Sequence, residues 1–300
     1  MRKTLAHPYV LLNIATLIWA SNTVAGRLAV GHVSPMALTW LRWTVSALVL
    51  LPFAWRFVRA DWPVVRRRLP FFALLGFAGF TAFNVLFYLA LNYTSAIQAG
   101  IVQSAMPLFV FAGMFAVFRT RVTALQVLGF ATTLVGVVVT VAQGDPAALL
   151  HLDVNRGDAM LVVAVILYSV FTIALARKPP VHWLTLMFVA AVFAALLAAL
   201  AAAIEGAMGQ LVMPDARGWW LVLFTGVVVS IASQSLYIKG VELIGGNRAN
   251  LFINLVPIYG AILAVAILGE PIHPYHIVSL LLVLGGIALA ERGRPKPTAA

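Results

Sequence analysis

Asn22, Asn84, Gln98, Gln103, Gln234 and Asn254, together with Trp19, Tyr88, Tyr168 and Tyr237, stand inside long runs of apolar residues. Amides and hydroxyls at such places replace part of a small solute's water shell, at an energetic cost wherever they face hydrocarbon. They suit the ammonium and carboxylate of a small zwitterion, and the aromatic rings suit an apolar or aromatic body. These residues form the candidate substrate-binding set. Each also has a structural reading. An intramembrane amide, Asn250 included, serves as an interhelical hydrogen bond of roughly 0.6 kcal/mol. Trp and Tyr gather at membrane interfaces, which is the reading of Trp40, Trp43, Trp55, Trp62, Trp183, Trp219 and Trp220 near helix ends.

The elements that must position them are apolar stretches of bilayer-crossing length, running Pro8 to Val30, Ser34 to Phe57, Pro70 to Leu91, Ser95 to Phe118 and Ala124 to Ala142 in the first half. Gly157 to Ala176, Trp183 to Ile204, Gly218 to Gly240, Gly246 to Leu268 and Pro274 to Ala290 follow in the second. A helix needs about 20 apolar residues to span hydrocarbon at about 1.5 Å rise per residue. With 63% hydrophobic and 10% charged residues, the composition does not suit a water-exposed globular surface. Unbroken apolar runs such as Leu196 to Ala203 lack the alternation of a β-barrel. The expected fold is an all-α integral membrane protein of ten transmembrane helices.

Charge orients it. Placing the N-terminus inside collects sixteen of the twenty Lys and Arg residues on the cytoplasmic side, so both termini are expected to be cytoplasmic. The net charge of +11 is divided among short loops rather than gathered in one stripe, which argues against nucleic acid. Arg66, Arg67 and Arg68 read as a topology anchor and an anionic-lipid contact. The chain has no cysteine, which excludes disulfides, thiolate catalysis and thiolate metal sites. The first stretch is too long for a signal-peptide core and is expected to remain as helix one. Arg292 to Ala300 reads as a disordered cytoplasmic tail.

The sequence MPLFVFAGMFAVF around Pro107 and VPIYGAILAVAIL around Pro257 lie 150 residues apart, each in the fourth helix of its group of five. An odd number of spans forces the second copy to enter from the opposite side. The expected organisation is a first repeat, 1–145, and an inverted second repeat, 146–291, an architecture that recurs in transporters. Pro107 and Pro257 each delete one backbone hydrogen bond, which makes helices four and nine candidate hinges; the alternative is a static kink shaping a cavity.

Trp19-Ala-Ser-Asn22 followed by Arg27, the segment from Ser34-Pro35 to Leu41-Arg42, Gln103-Ser-Ala-Met-Pro107-Leu-Phe, and Leu268-Gly269-Glu270 resemble the EamA branch of the drug/metabolite transporter superfamily. The resemblance runs from about Pro8 to Arg292. It implies two inverted five-helix repeats around a cavity lined by helices one, three, four, six, eight and nine. It also implies transport of small metabolites, commonly export of amino acids. Phe118-Arg119-Thr120 departs from the pattern, standing where the second half has Gly269-Glu270.

Helices five, seven and ten carry almost no polar residues and are expected at the periphery. Arg42, about eight residues into helix two, is roughly 12 Å along the axis and within reach of the outer interface by snorkelling. Its other reading is attraction of a substrate carboxylate; Lys239 has the same ambiguity. Asp158, Glu205 and Glu270 fall near outer helix ends, so no carboxylate stands out for proton coupling, and facilitated movement is the simpler expectation. Proton-coupled export of drugs or other metabolites is the alternative within the superfamily, and a non-transporting membrane scaffold the alternative outside it. No catalytic residue, metal site or cofactor is expected: His273 and His276 lack a third nearby ligand, and no glycine loop with Lys-Ser or Lys-Thr serves ATP hydrolysis. The expected partners are the lipid bilayer of a prokaryotic cytoplasmic (inner) membrane and a small-molecule substrate.

Overall fold

The computed structural model describes residues 7–119, 123–145, 155–244, 249 and 251–293. Asn250, Gly246, Arg2, Lys3, Arg121, Arg248 and the tail from Arg294 onward lie outside the described residues. Helices α1 (Pro8–Ala29), α2 (Pro35–Val65), α3 (Leu69–Ala90), α4 (Ala96–Val117) and α5 (Ala124–Val141) precede α6 (Arg156–Leu175), α7 (Trp183–Ala207), α8 (Ala216–Ile244), α9 (Phe252–Leu268) and α10 (Pro274–Arg292). All but the shorter α9 are long and apolar enough to cross a membrane. Their starts are locally encoded. Pro8, Pro35 and Pro274 sit in first turns, where a missing N–H costs nothing. Ser95, Asn155 and Asp215 accept backbone N–H groups as caps, and Thr123 with Gln126 closes a capping box.

Packing repeats across the halves. α1 lies against α8 and α9 as α6 lies against α3 and α4, while α2 pairs with α7 and α5 with α10. Irregularities repeat too. α3 contains a π-helical stretch at Gly76–Ala82 and α8 one at Phe224–Ala232. α4 breaks at Ala105 before Pro107, and α9 passes from a 3-10 turn, Leu251–Leu255, into the helix holding Pro257. Both prolines therefore occupy the first turn of a new helical segment, where the ring fits without displacing a carbonyl partner.

Gly76 and Gly226 are the reason these elements approach closely. A Cβ at Gly76 would stand 2.8 Å from the Ala190 carbonyl of α7, and one at Gly226 would stand 2.9 Å from the Arg42 carbonyl of α2. Ser46 Oγ reaches the Gly226 carbonyl at 2.8 Å across the same contact. The peripheral helices turn apolar side chains outward, among them Leu128 and Val135 on α5, Leu196 and Leu200 on α7, and Ile277 and Leu281 on α10. An apolar groove of about 370 Å³ lies between α3 and α7, lined by Phe77, Val85, Leu197 and Leu200 among others.

α2 outruns the stretch expected from apolarity, continuing through Arg59, Asp61 and Trp62 to Val65. Its 31 residues give about 46 Å, well beyond a hydrocarbon core of about 30 Å. Hydrophobicity marks where lipid ends, and a helix ends only where its hydrogen bonding does. The overhang has a structural role, because Asp61 Oδ2 accepts from His182 N at 2.9 Å and Thr185 Oγ1 at 2.7 Å, capping α7. Asp61→Ala is expected to cost about 1 kcal/mol and to lower the melting midpoint of the purified protein by about 2 °C. An unchanged midpoint in a thermal scan counts against the cap.

Candidate substrate site

Arg42 is the centre of the largest polar cluster inside the bundle. It does not snorkel. The residue is 6% exposed on the face of α2 that touches α8, which leaves its side chain no path along lipid to an interface. Its Nε donates to Ser230 Oγ at 2.9 Å, and its Nη1 donates to Asn22 Oδ1 at 3.2 Å, Asn84 Oδ1 at 2.9 Å and the Tyr88 hydroxyl. Four helices thus meet at one guanidinium.

Local structure aims each acceptor. Ser230 lies in the π-helical stretch of α8 and donates to Thr225 O at 2.9 Å, five residues back, so that the wide turn presents its lone pairs to Arg42. Asn84 donates to Phe80 O at 2.6 Å, one helical turn earlier, which leaves its carbonyl oxygen for the cation. The Tyr88 hydroxyl donates to Asn22 Oδ1 at 2.9 Å. Trp43, beside Arg42, is core rather than an interfacial anchor: it is 4% exposed, stacks on Phe80 at 4.1 Å and donates Nε1 to Phe80 O at 3.0 Å. Asn84 and Tyr88 stand one turn apart on α3, and Asn22 of α1 meets Tyr88 and Arg42 from the other side.

Aromatic rings continue from this cluster. Trp19 of α1 and Tyr237 of α8 pair at 4.9 Å between centroids. Tyr168 of α6 packs on Phe83 at 5.0 Å and on Phe171 at 5.1 Å. Phe83 stacks on Phe87 at 5.7 Å and Phe87 packs on Tyr88 at 5.4 Å, which joins the Tyr168 group to the polar one. Gln103 is half-buried and donates only to Ala99 O, at 3.4 Å. Gln234 and Asn254 are half-buried and their side chains bond to no described residue.

Gln98 belongs elsewhere. With Thr94 it holds the fully buried Asp158, Thr94 Oγ1 donating at 2.6 Å and Gln98 Nε2 at 3.3 Å. This cluster is part of a seal across one end of the bundle. Glu270 accepts from the backbone N–H groups of Ala96 at 2.8 Å and Ile97 at 3.0 Å. Ser34 Oγ donates to the buried Glu205 at 2.5 Å, Arg27 reaches the Leu91 carbonyl, and Asn155 Nδ2 donates to Tyr93 O at 2.8 Å. His32 lies 2.7 Å from Asp215, whose carboxyl is held below the ordinary carboxylate range by the Gly218 N–H and then by His32. At the opposite end, Tyr259 donates to Asn13 at 2.6 Å, Thr123 donates to Gly293 O at 2.9 Å, and Asp61 caps α7. Among the described residues, no side-chain hydrogen bond at that end joins α3, α4 or α6 to α1, α8 or α9.

Residues 7–142 and 155–291 each match the model of the EamA-like transporter family. The chain belongs to this family. EamA-like relatives include the uncharacterized transporter YetK of Bacillus subtilis (strain 168), 24% identical over 97% of this chain and 88% of that protein. The uncharacterized inner membrane transporter YicL of Salmonella typhimurium is also similar, at 24% identity over 92% of each chain. A solved structure described as a crystal structure of protein superposes with a TM-score of 0.61 at 22% identity, covering 94% of this chain and 96% of that one, and shares the fold. As an EamA-like protein, the chain is a multi-pass membrane transporter.

Arg42 is not in the candidate substrate-binding set, because its place near the outer end of helix two favours snorkelling over its other reading, attraction of a substrate carboxylate. The 150-residue offset that carries Gly76 onto Gly226 carries Arg42 onto Val192, so the repeat itself does not demand a cation at that place.

Proposed function

We propose that this protein exports small metabolites, chiefly amino acids including aromatic or large neutral ones, by alternating access across a prokaryotic cytoplasmic membrane. Both termini face the cytoplasm, and two inverted units, 1–145 and 146–291, enclose the pathway. The observation that carries this reading is the gathering of Asn22, Asn84, Tyr88, Tyr168, Trp19 and Tyr237 into adjoining groups inside a bundle whose α5, α7 and α10 face outward with apolar side chains. Gln234 and Asn254 support it as half-buried amides whose side chains bond to no described residue, so that helix gluing does not account for them. In this reading the sealed end is the outer one, and Pro107 and Pro257, each at a helical break, are the hinges.

Counterflow of labelled amino acids into liposomes carrying the purified protein tests it. Gln103→Leu and Asn254→Leu are each expected to raise the half-saturating concentration roughly 5- to 10-fold, the loss of one hydrogen bond to the solute, without preventing membrane insertion. Absent counterflow defeats the amino-acid reading and leaves another small metabolite as the substrate, and unchanged kinetics in both variants defeats the placement of the site. Asp158 favours a second reading, proton-coupled export, because it is a buried carboxylate held by the neutral groups of Thr94 and Gln98 at the mouth of the pathway. Flux that vanishes when the pH gradient is removed selects that reading over facilitated movement.

A further inference from the structure

Arg42 is a buried cation without an anion. Every partner named for it is neutral, and no described carboxylate lies within 4.0 Å of it. Its hydrogen bonds are also incomplete. A guanidinium has five N–H donors; Nε is taken by Ser230 and Nη1 is shared among Asn22, Asn84 and Tyr88, while Nη2 donates to no described residue. Nη2 is not fully enclosed, although the residue as a whole is only 6% exposed.

A structural cation of this kind is ordinarily paired, because neutral dipoles orient a guanidinium but do not cancel its charge. Here the protein fixes the plane of the group with three amide and hydroxyl side chains plus Ser230, and leaves the two hydrogens of Nη2 without a described partner. Asn22 and Asn84 lie on α1 and α3, Ser230 on α8, and the Trp19–Tyr237 pair on α1 and α8. The rings of Trp43 and Tyr88, whose centroids lie 5.2 and 6.0 Å from Arg42 Cζ, give an anion on the guanidinium an aromatic surround. One fixed positive charge matches one negative charge: a monocarboxylate neutralises it, whereas a phosphate dianion leaves an excess charge with no second cation among its named neighbours.

We propose that Arg42 is the carboxylate subsite of the pathway, taking the acid group of its substrate on Nη2, so that the carboxylate rather than the ammonium is the required feature. The inference deepens the carrier reading and rests on it, but it makes a different demand. Monocarboxylates without an amino group are ligands, and amines without an acid group are not.

Binding to the purified full-length chain in detergent separates the two. The probes are phenylalanine, 3-phenylpropanoate, phenethylamine and inorganic phosphate, read by calorimetry and by ligand-induced thermal shift. Phenylalanine and 3-phenylpropanoate are expected to bind with affinities of the same order, and phenethylamine and phosphate roughly 10- to 100-fold more weakly, the loss of a charge-assisted hydrogen-bonded pair. Arg42→Lys keeps the charge but not the fork and is expected to retain the acid-over-amine preference with weakened affinity. Arg42→Gln is expected to erase the preference. The wild-type series decides the question even if a variant fails to fold. Phenethylamine or phosphate binding as tightly as 3-phenylpropanoate, a preference that survives Arg42→Gln in folded protein, or no binding by either acid overturns the proposal. If 3-phenylpropanoate binds while amino-acid counterflow is absent, the carboxylate subsite stands and the amino-acid assignment falls.

Discussion

Gly286→Val is expected to destabilise the folded protein by about 3 kcal/mol or more, seen as a collapse of folded yield or a large drop in melting midpoint in detergent. α5 and α10 pack along their lengths, and their closest point is a reciprocal glycine contact. A Cβ at Gly286 would stand 2.3 Å from Thr133 Oγ1, 2.5 Å from Gly129 O and 2.7 Å from Thr133 N; one at Gly129 would stand 2.4 Å from Gly286 O and 2.6 Å from Ala290 N. Two of the three neighbours at Gly286 are backbone atoms, so no rotamer change relieves the clash and the helices must part. In lipid that separation is costly, because helix association depends on van der Waals fit rather than on hiding apolar surface from water. Parting them also stretches the contacts of Gly136, where a Cβ would stand 2.8 Å from Val283 Cγ2. Gly285→Val is the control, since a Cβ there meets nothing within 4 Å; its effect is expected within about 0.5 kcal/mol. Equal midpoints for the two variants refute the close-contact account.

The ten helices were legible because lipid leaves little choice: apolar length and backbone satisfaction are local properties of sequence. What apolarity does not encode was missed. The overhang of α2 past Phe57 is held by Asp61 meeting a residue more than a hundred positions away, and the π-helical stretches of α3 and α8 depend on which backbone lies opposite Gly76 and Gly226. Intramembrane amides were conspicuous one by one, yet nothing in their spacing separates Asn22 and Asn84, gathered at Arg42, from Gln98, bound to Asp158. Arg42 itself was read along its own helix as a side chain eight residues from an interface. The close approach of α8 turns that short path into a buried one, and only the tertiary contact reveals it. Likewise Asp158 and Glu205 stand near helix ends, as their positions suggest, but neighbouring helices cover them.

Glu270→Gln is expected to open the sealed end. Both oxygens of Glu270 accept backbone N–H groups of Ala96 and Ile97 in the first turn of α4, where unpaired donors and the helix dipole favour a negative charge. The carboxylate thereby ties the α9–α10 connection to α4 across the mouth of the bundle. Glutamine keeps one acceptor, turns an amide donor toward the other N–H and removes the charge, a loss of about 2 kcal/mol and roughly a 30-fold shift in the ratio of closed to open molecules. In sequence, the first half has threonine, not an acid, at the matching position. Arg119 takes the left-handed turn that Gly269 takes in the second half, with φ of 51° and 67°. A latch at one end agrees with the uneven side-chain hydrogen bonding of the two ends among the described residues. Because the chain has no native cysteine, Val102→Cys, at a position 1% exposed behind the latch, gives an unambiguous readout. A membrane-impermeant maleimide added on the side opposite the termini is expected to label Val102→Cys slowly, and roughly 10- to 30-fold faster when Glu270→Gln is added. Equal labelling rates in the two backgrounds dispose of the latch, whereas faster labelling from that side also fixes the sealed mouth as the outer one.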